Sequence, residues 1–367
     1  MTNDNPDERL LGAVARALVA VDELRELTTF RMPYPPTIQR ALDELVLHRL
    51  CNGAIPPMSV PELVRWGYDR PLSSWALELP VDVYSPDAFL VDVESGVPTT
   101  LCHEIALSAE IDNPLREASR SMAAMASLAA ERNQPSWFST MREVLATYPV
   151  LTTDLFNNVR LDRRLGFLDE HLGDFYHRIG QEYEVDGEVF PCASCGIPLR
   201  RTATDSWWCE REECQTESAA TPGDPLDCDA KVLIQLDRRH RQFVLGPARA
   251  ALRVADSIGQ LGARTRRWPM HGACDLRVEL PESHAWNVAV VDWNNPALLG
   301  RAIAAAMAGV GVDTTVWVVA QYRVDAHPDY LRIVREHAIG ATGSPPVYSE
   351  DHFTDMVRLH GEERGRA

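Results

Sequence analysis

Four cysteines in one short segment constrain the fold of this chain more than any other feature of its sequence. They are Cys192, Cys195, Cys209 and Cys214, a CxxC pair followed at hairpin distance by a CxxxxC pair. A CxxC turn lets two thiolates reach one metal ion, Gly196 suits the tight turn that follows, and a second pair completes a tetrahedron. Thiolates hold zinc without redox chemistry, and four protein ligands leave no open position for a substrate. The spacing therefore predicts a zinc ribbon with a structural role.

The remaining cysteines leave two alternatives open. The four residues could be unrelated free thiols, or Cys228 could replace one ligand, although its spacing is less suitable. Cys51, Cys102 and Cys274 are isolated, which is typical of ordinary buried thiols. Eight cysteines at irregular spacing, four of them clustered, indicate a metal site rather than the disulfide framework of a secreted protein.

Composition and hydropathy predict a cytoplasmic protein without a membrane partner. The chain has 367 residues, enough for two or three domains, and its 45% hydrophobic and 24% charged residues are ordinary for a globular fold. No apolar run reaches the length of a membrane-spanning helix. The opening residues, MTNDNPDERL, are acidic and polar, unlike a signal peptide.

Charge is distributed unevenly along the chain. Residues 1–230 hold 19 Arg against 38 Asp and Glu, whereas residues 231–367 hold 17 Lys and Arg against 15 Asp and Glu. Because an acidic surface repels polyanions, we expect the acidic two-thirds to bind protein and any nucleic-acid contact to lie in the C-terminal third. Lys231 is the single lysine, so chemistry that needs a lysine has one candidate.

Residues 1–185 are predicted to be mostly helical. Apolar residues at helical spacing indicate two amphipathic helices within residues 8–50 and a further helix at 160–180. The first pair could form a winged-helix DNA reader, but the local acidity favours a helical region that binds a protein partner. His103 and Glu104 could be a metal-binding or catalytic pair, yet no second ligand lies one turn away, so a capped helix start is preferred.

From residue 232 the pattern alternates between helix and strand. A helix at 246–263 is followed by strands at 264–269, 274–280 and 286–293, a helix at 297–309, a strand at 314–322, a helix at 328–340 and a closing strand and helix. The order αβββαβ is the core of the PD-(D/E)xK nuclease fold. The predicted fold class is thus a multidomain α+β protein: a helical N-terminal region at 1–185, a four-cysteine zinc ribbon at 186–230 and a restriction-endonuclease-like α/β domain at 231–367.

Several short motifs carry a more specific resemblance. They are RPLSSWALELP at 70–80, PTTLCHE at 98–104, TYPVLT at 147–152, RQFVLGPARAALR at 241–253 and DWNNPALL at 292–299, together with the ribbon. Through them the chain resembles the restriction-endonuclease-like protein encoded beside pPIWI-RE proteins, the Argonaute-related subunits of a bacterial defence system that also includes a DinG-type helicase. The resemblance implies an accessory subunit in anti-phage or anti-plasmid defence, with the Argonaute-like protein, and the helicase as a further candidate, as partners.

The resemblance also assigns the nuclease positions. Such nucleases hold Mg²⁺ with converging carboxylates and place a lysine beside the attacking water. Asp275 matches the first acid, but Ala289 stands at the second acid, Val291 at the lysine and Ala251 at the acid of the first helix. Asp292 has the wrong strand parity to substitute. We therefore expect no catalytic Mg²⁺ site and no cleavage. Two alternatives stay open: an active metal-dependent DNA endonuclease that uses Asp275 with unconventional partners, and an Asp275 that only hydrogen-bonds locally.

Two groups of arginines are candidates for contacts with nucleic acid. They are Arg238, Arg239 and Arg241 before the first core helix, and Arg264, Arg266 and Arg267 on the first strand. Arginine suits phosphate because its guanidinium donates two parallel hydrogen bonds. A solvated basic face without a ligand is the equally weighted alternative.

Overall fold

The computed structural model describes residues 5–25, 33–108, 114–202, 204–215, 220–228, 232–279, 285–309, 315–339 and 345–362. Within the described residues up to 108 the long elements are helices, as predicted. The helices are α1 (Pro6–Arg25), α2 (Pro36–Cys51), α3 (Val60–Asp69) and α4 (Thr100–Ser108). The Ser59 side chain caps α3 by accepting a hydrogen bond from the Glu62 N–H, and prolines occupy the first turns of α2 and α3.

The middle of the chain combines helices with very short strands. In chain order these are α5 (Pro114–Glu131), α6 (Pro135–Thr147), β1 (Val150–Thr152), α7 (Thr153–Arg160), β2 (Tyr176–Arg178), β3 (Glu184–Val185), β4 (Glu188–Val189), β5 (Arg200–Arg201), β6 (Trp207–Trp208) and β7 (Leu226–Asp227). The helix predicted at 160–180 is wrong, because the chain forms 3₁₀ turns over Arg163–Phe175 and then enters β2. Gly166 has a φ of 59° against the Trp137 ring, a conformation and a close approach that only glycine allows.

The C-terminal elements follow the predicted order. They are β8 (Leu233–Leu236), α8 (Arg238–His240), a π-helical turn (Arg241–Leu245), α9 (Gly246–Gln260), β9 (Arg264–Arg267), the short α10 (Pro269–Gly272), β10 (Leu276–Glu279), β11 (Ala285–Val291), α11 (Pro296–Gly309), β12 (Thr315–Val319), α12 (Gln321–Ala326), α13 (Tyr330–His337), β13 (Val347–Ser349) and α14 (Glu350–Glu362). Lys231 lies outside the described residues.

Five of these strands form one mixed sheet in the order β13-β12-β11-β10-β9. Strands β9, β10 and β11 are antiparallel neighbours, whereas β11, β12 and β13 run parallel. One face of the sheet is covered by α9 and α14, and Val288 and Val290 of β11 pack there with Ala251 of α9 and Phe353 of α14. Since side chains alternate along a strand, Ala289 and Val291 point to the opposite face.

The chain divides into two compact units, each discontinuous in sequence. The first comprises Met1–Pro114, Trp293–Ala306 and Glu336–Ala338, and the second comprises Leu115–Asp292, Met307–Arg335 and Ile339–Ala367. The cysteine cluster and the five-stranded sheet both belong to the second unit. The three-part division at 185 and 230 remains a prediction about domains. Among the described helices, none combines the length and the apolar character that crossing a bilayer requires.

Candidate metal centre and sheet-edge site

The four cysteines come together as the sequence predicts. One sulfur from each of Cys192, Cys195, Cys209 and Cys214 lies within 4.8 Å of the other three, and the sulfurs of Cys195 and Cys209 are 3.5 Å apart. Three of the residues are buried and Cys214 is half-buried. Of all His, Cys, Asp and Glu side chains in the described ranges, these form the group that can hold a metal ion.

Two backbone turns aim the sulfurs at one point. In the first, the Gly196 N–H donates to the Cys192 carbonyl at 2.8 Å, and Gly196 adopts a φ of 77°. In the second, the Cys214 N–H donates to the Arg211 carbonyl at 3.0 Å, and the Gln215 side chain donates to the Cys209 carbonyl. The hairpin of β5 and β6 joins the two turns. This is the knuckle arrangement of a cysteine metal site.

The four sulfurs are close enough to one another to influence their ionisation and could hold a metal ion. The neighbouring Cys192 sulfur, together with burial, raises the pKa of the Cys195 and Cys209 thiols. A divalent ion reverses that effect, because it stabilises all four groups as thiolates. Cys228 is not one of the four. Cys102 and Cys274 are buried as expected, but Cys51 is exposed at the end of α2, so its interpretation as a buried thiol is wrong.

The segment between Cys209 and Cys214 makes buried ion pairs that the sequence analysis missed. The first joins Glu210 to Arg241, whose Nη2 lies 2.9 Å from the Glu210 carboxylate. Arg241 is fully buried and also donates to the Leu236 carbonyl at 2.6 Å and to the Tyr183 hydroxyl at 3.2 Å. Burial alone would raise the pKa of Glu210, but Arg241 and Arg238 lower it. The carboxylate is therefore held ionised beside the cysteines.

The second ion-paired group surrounds Asp292, directly after β11. Its carboxylate accepts from Arg211 at 3.0 Å, from Arg323 at 2.9 Å and from the Tyr322 hydroxyl at 2.5 Å. Although burial opposes ionisation, Arg211 and Arg323 lower the pKa of Asp292. Arg323 also pairs with Glu212 of the same cysteine segment. The segment between Cys209 and Cys214 is thereby bound to the end of β11. The Asp292 carboxylate is fully occupied by its two arginine partners and Tyr322.

We predict a specific acid lability from this arrangement. Because the folded pKa of Asp292 is lowered, its stabilisation is present above the unfolded pKa of about 3.9 and is lost as pH falls through the folded pKa. Urea unfolding of wild type and Asp292→Asn should be compared between pH 7 and pH 3. The variant should be less stable at pH 7, and the difference should shrink on acidification. A constant difference across this range would contradict the assignment.

Asp275, the predicted remnant of the catalytic acid, lies immediately before β10. Its carboxylate accepts from the Val290 N–H at 2.9 Å and from Nη2 of Arg142 in α6 at 3.4 Å. Burial raises the pKa of Asp275, and Arg142 acts in the opposite direction. The side chain is 21% exposed, so it is half-buried rather than free in a cleft. The guanidinium of Arg142 thus supplies a positive charge beside this carboxylate.

The other predicted nuclease positions do not all lie on the same face of the sheet. Asp275 precedes Leu276, which is opposite Val288, so Asp275 is adjacent to Ala289 across the two strands. Ala289 and Val291 share one face of β11, where they offer methyl groups and no ligand. Ala251 lies on the other face, buried in the core with Val288 and Val290. An acid at position 251 would therefore not converge with side chains at 289 and 291, so Ala251 does not mark a lost ligand of the same site.

The predicted nucleic-acid arginines are mostly paired with carboxylates. Arg241 is buried on Glu210 and cannot reach a phosphate, so it is removed from the predicted surface. Arg238 lies 3.6 Å from Glu210, and Arg239 lies 3.7 Å from Asp237. On the edge strand β9, Arg267 contacts Glu143 and Asp256, Arg266 contacts Glu279, and both Arg264 and Arg266 are exposed. Nucleic-acid binding remains a prediction, now centred on Arg264 and Arg266.

His103 and Glu104 belong to no metal-binding group among the described residues. The Glu104 carboxylate accepts the N–H groups of Asn294 and Asn295, the latter at 2.9 Å. The Asn295 side chain accepts in turn from the N–H groups of Ala297 and Leu298 at 3.0 Å, at the first turn of α11. Hydrogen bonds therefore join the motifs PTTLCHE and DWNNPALL, so both motifs have a structural role.

The fold and the site together define a class: a restriction-endonuclease-like protein with a cluster of four cysteines that could hold a metal ion. Comparison with protein-family models agrees. Residues 248–365 match the family described as "REase associating with pPIWI_RE", and residues 10–152 match "pPIWI_RE three-gene island domain Y". The chain is a restriction-endonuclease-like protein of the pPIWI-RE system. No curated protein and no solved structure matches it significantly.

Proposed function

We propose that this chain is a non-cleaving accessory subunit of the pPIWI-RE defence system, built on a nuclease fold and held together in part by zinc. The single observation that carries the proposal is the face of β11 beside Asp275. Ala289 and Val291 stand there with side chains that neither bind a cation nor activate water. Mg²⁺ in such sites needs more than one anionic ligand, and Asp275 offers one.

The surroundings of Asp275 support the same conclusion. Arg142 and the Val290 N–H already satisfy its carboxylate. A cation entering this position would have to displace or repel the guanidinium. Asp292, directly after β11, is held by Arg211 and Arg323, and its carboxylate lies beside Gly246 at the start of α9. Neither carboxylate is left with the open coordination that hydrolysis of a phosphodiester requires.

Zinc is the occupant we propose for the cysteine centre. Four sulfur donors in a compact, mostly buried group match the preference of Zn²⁺ for closed thiolate sites. With all four positions filled by protein, the ion contributes folding energy and takes no part in chemistry. Its role here would be to hold the segment that carries Glu210, Arg211 and Glu212 against the end of β11.

A cleavage assay tests the central claim. The purified chain, incubated with Mg²⁺ or Mn²⁺ and either single- or double-stranded DNA, should release no fragments above the level of a no-enzyme control. Asp275→Asn should behave identically, because Asp275 carries no chemistry in this proposal. Metal-dependent cleavage that disappears in Asp275→Asn would establish the alternative, an active endonuclease with unconventional ligands.

A further inference from the structure

Large apolar side chains are exposed at the end of α2 and in the loop that follows. Leu47, Leu50, Ile55 and Met58 are 64%, 60%, 82% and 72% exposed, and Cys51 between them is also exposed. We call these five residues the 47–58 patch. Single exposed apolar residues are common, but five within a dozen positions form a cluster that water solvates poorly.

Helical spacing places the first part of the patch on one face. Leu47, Leu50 and Cys51 are separated by three and four residues, so they line the same side of α2. One turn earlier on that side lie the exposed carboxylates of Asp43 and Glu44. The apolar surface therefore has an acidic border at its N-terminal end.

The second part of the patch is held rigidly to the first. Gly53, with a φ of 65°, turns the chain at the end of α2. The buried Arg49 side chain then donates from Nε and Nη2 to the Ile55 carbonyl, at 3.3 and 3.2 Å. The same guanidinium stacks on the Trp66 ring, 5.2 Å from its centroid. The Met58 N–H donates to the Glu62 carboxylate at 2.9 Å.

These anchors fix the backbone while leaving the side chains in water. A rigid apolar surface loses little conformational entropy when a partner covers it, which is the property of a preorganised binding site. Methionine is also enriched in the buried centre of protein interfaces, which a polar rim surrounds. The matched domain Y region, residues 10–152, contains the whole patch.

Charge selects the kind of partner. Residues 33–108 contain four arginines, no lysine and ten carboxylates, a formal charge of −6. Nucleic acid and anionic lipid would both be repelled by this surface. A second copy of the chain would bring like charges together at the acidic border, which disfavours a symmetric dimer through this face.

We propose that the 47–58 patch is the docking surface for the pPIWI-RE protein, which covers it with an apolar segment flanked by arginine or lysine. This inference rests on the proposed function and adds to it the residues through which the two proteins associate. Apolar contact provides the affinity, and the acidic border at Asp43 and Glu44 sets orientation and the rate of association.

The test measures binding of the full chain to the purified pPIWI-RE protein of the same three-gene island. Ile55→Glu and Leu50→Glu should each weaken binding about tenfold or more, because a charge at the centre of an apolar interface must be desolvated. Leu161→Glu is the matched control, since Leu161 is 78% exposed and lies outside the patch. Thermal unfolding should show equal stability for all three variants, since none of the side chains is buried.

A second measurement tests the role of the acidic border at Asp43 and Glu44. Replacing Asp43 and Glu44 together by lysine should slow association and reduce its dependence on salt. If Ile55→Glu and Leu50→Glu bind as tightly as Leu161→Glu, the patch is not the docking surface, although the proposed function stands. If the wild type does not bind the pPIWI-RE protein, both proposals fail. Dimerisation of the wild type that Ile55→Glu abolishes would also overturn the inference, because the occupant is then a second copy.

Discussion

Replacing Cys209 by serine should remove the metal from the protein and lower its stability more than any other single substitution considered for this chain. Wild-type protein expressed with sufficient metal should contain about one zinc ion per chain, because the four sulfurs lie within 4.8 Å of one another. Structural zinc contributes roughly 10–16 kcal/mol in isolated zinc-finger peptides, which sets an upper bound for the loss in a larger protein. Elemental analysis and thermal unfolding give the two readouts.

The matched control is Cys228→Ser, because Cys228 lies outside the group of four. It should retain metal and melt like the wild type. A chelator should lower the melting temperature of the wild type and of Cys228→Ser but leave that of Cys209→Ser unchanged, since the latter has no ion to lose. Absence of metal from wild-type protein after expression with added zinc would contradict the assignment of a metal centre.

Replacing Arg241 by alanine should produce the second large effect. Glu210 would keep its buried carboxylate but lose its main counter-charge, and such an unpaired charge costs about 3–5 kcal/mol. The Leu236 carbonyl and the Gln235 side chain would also lose a donor. Denaturant unfolding measures the loss as a change in the midpoint and in the free energy of unfolding.

An exposed pair provides the comparison for this buried one. Arg332 and Asp329 are 3.1 Å apart, and both side chains are more than half exposed. Arg332→Ala should change the free energy of unfolding far less than Arg241→Ala, because water screens the exposed pair. Adding Glu210→Gln to Arg241→Ala should recover part of the loss by removing the uncompensated charge. Equal effects of Arg241→Ala and Arg332→Ala would show that the buried pair does not stabilise the fold.

Local sequence pattern is sufficient to predict the cluster of four cysteines and the order of the C-terminal elements. The spacing of Cys192 and Cys195 contains the geometry of a knuckle turn within four residues, so no distant information is needed. Alternating and continuous apolar runs likewise mark β10, β11 and β12. Periodicity cannot state which of two sheet faces a helix covers. The resemblance groups Ala251 with Ala289 and Val291, and sequence pattern alone could not reveal that Ala251 lies on the other face of the sheet.

Contacts between residues far apart in sequence account for most of what sequence reasoning missed. Arg241 belongs to a run of basic residues that resembles an exposed phosphate-binding surface, yet its partner Glu210 lies 31 positions earlier and buries it. Arg211 and Asp292 are separated by 81 positions. One local feature could have indicated these ion pairs, namely the charged residues between Cys209 and Cys214. Charged side chains next to buried cysteines need opposite charges nearby.

The discontinuity of the two units has a consequence for the order of events during synthesis. The first unit needs Trp293–Ala306 and Glu336–Ala338 in addition to Met1–Pro114. Glu104 therefore has no backbone partner from Asn294 and Asn295 until most of the chain has left the ribosome. Domains that are continuous in sequence can complete folding while translation proceeds, but this N-terminal unit cannot. Until then it lacks the segment that carries the buried side chains of Leu298 and Ile303, so chains terminated before residue 293 should require chaperones or aggregate.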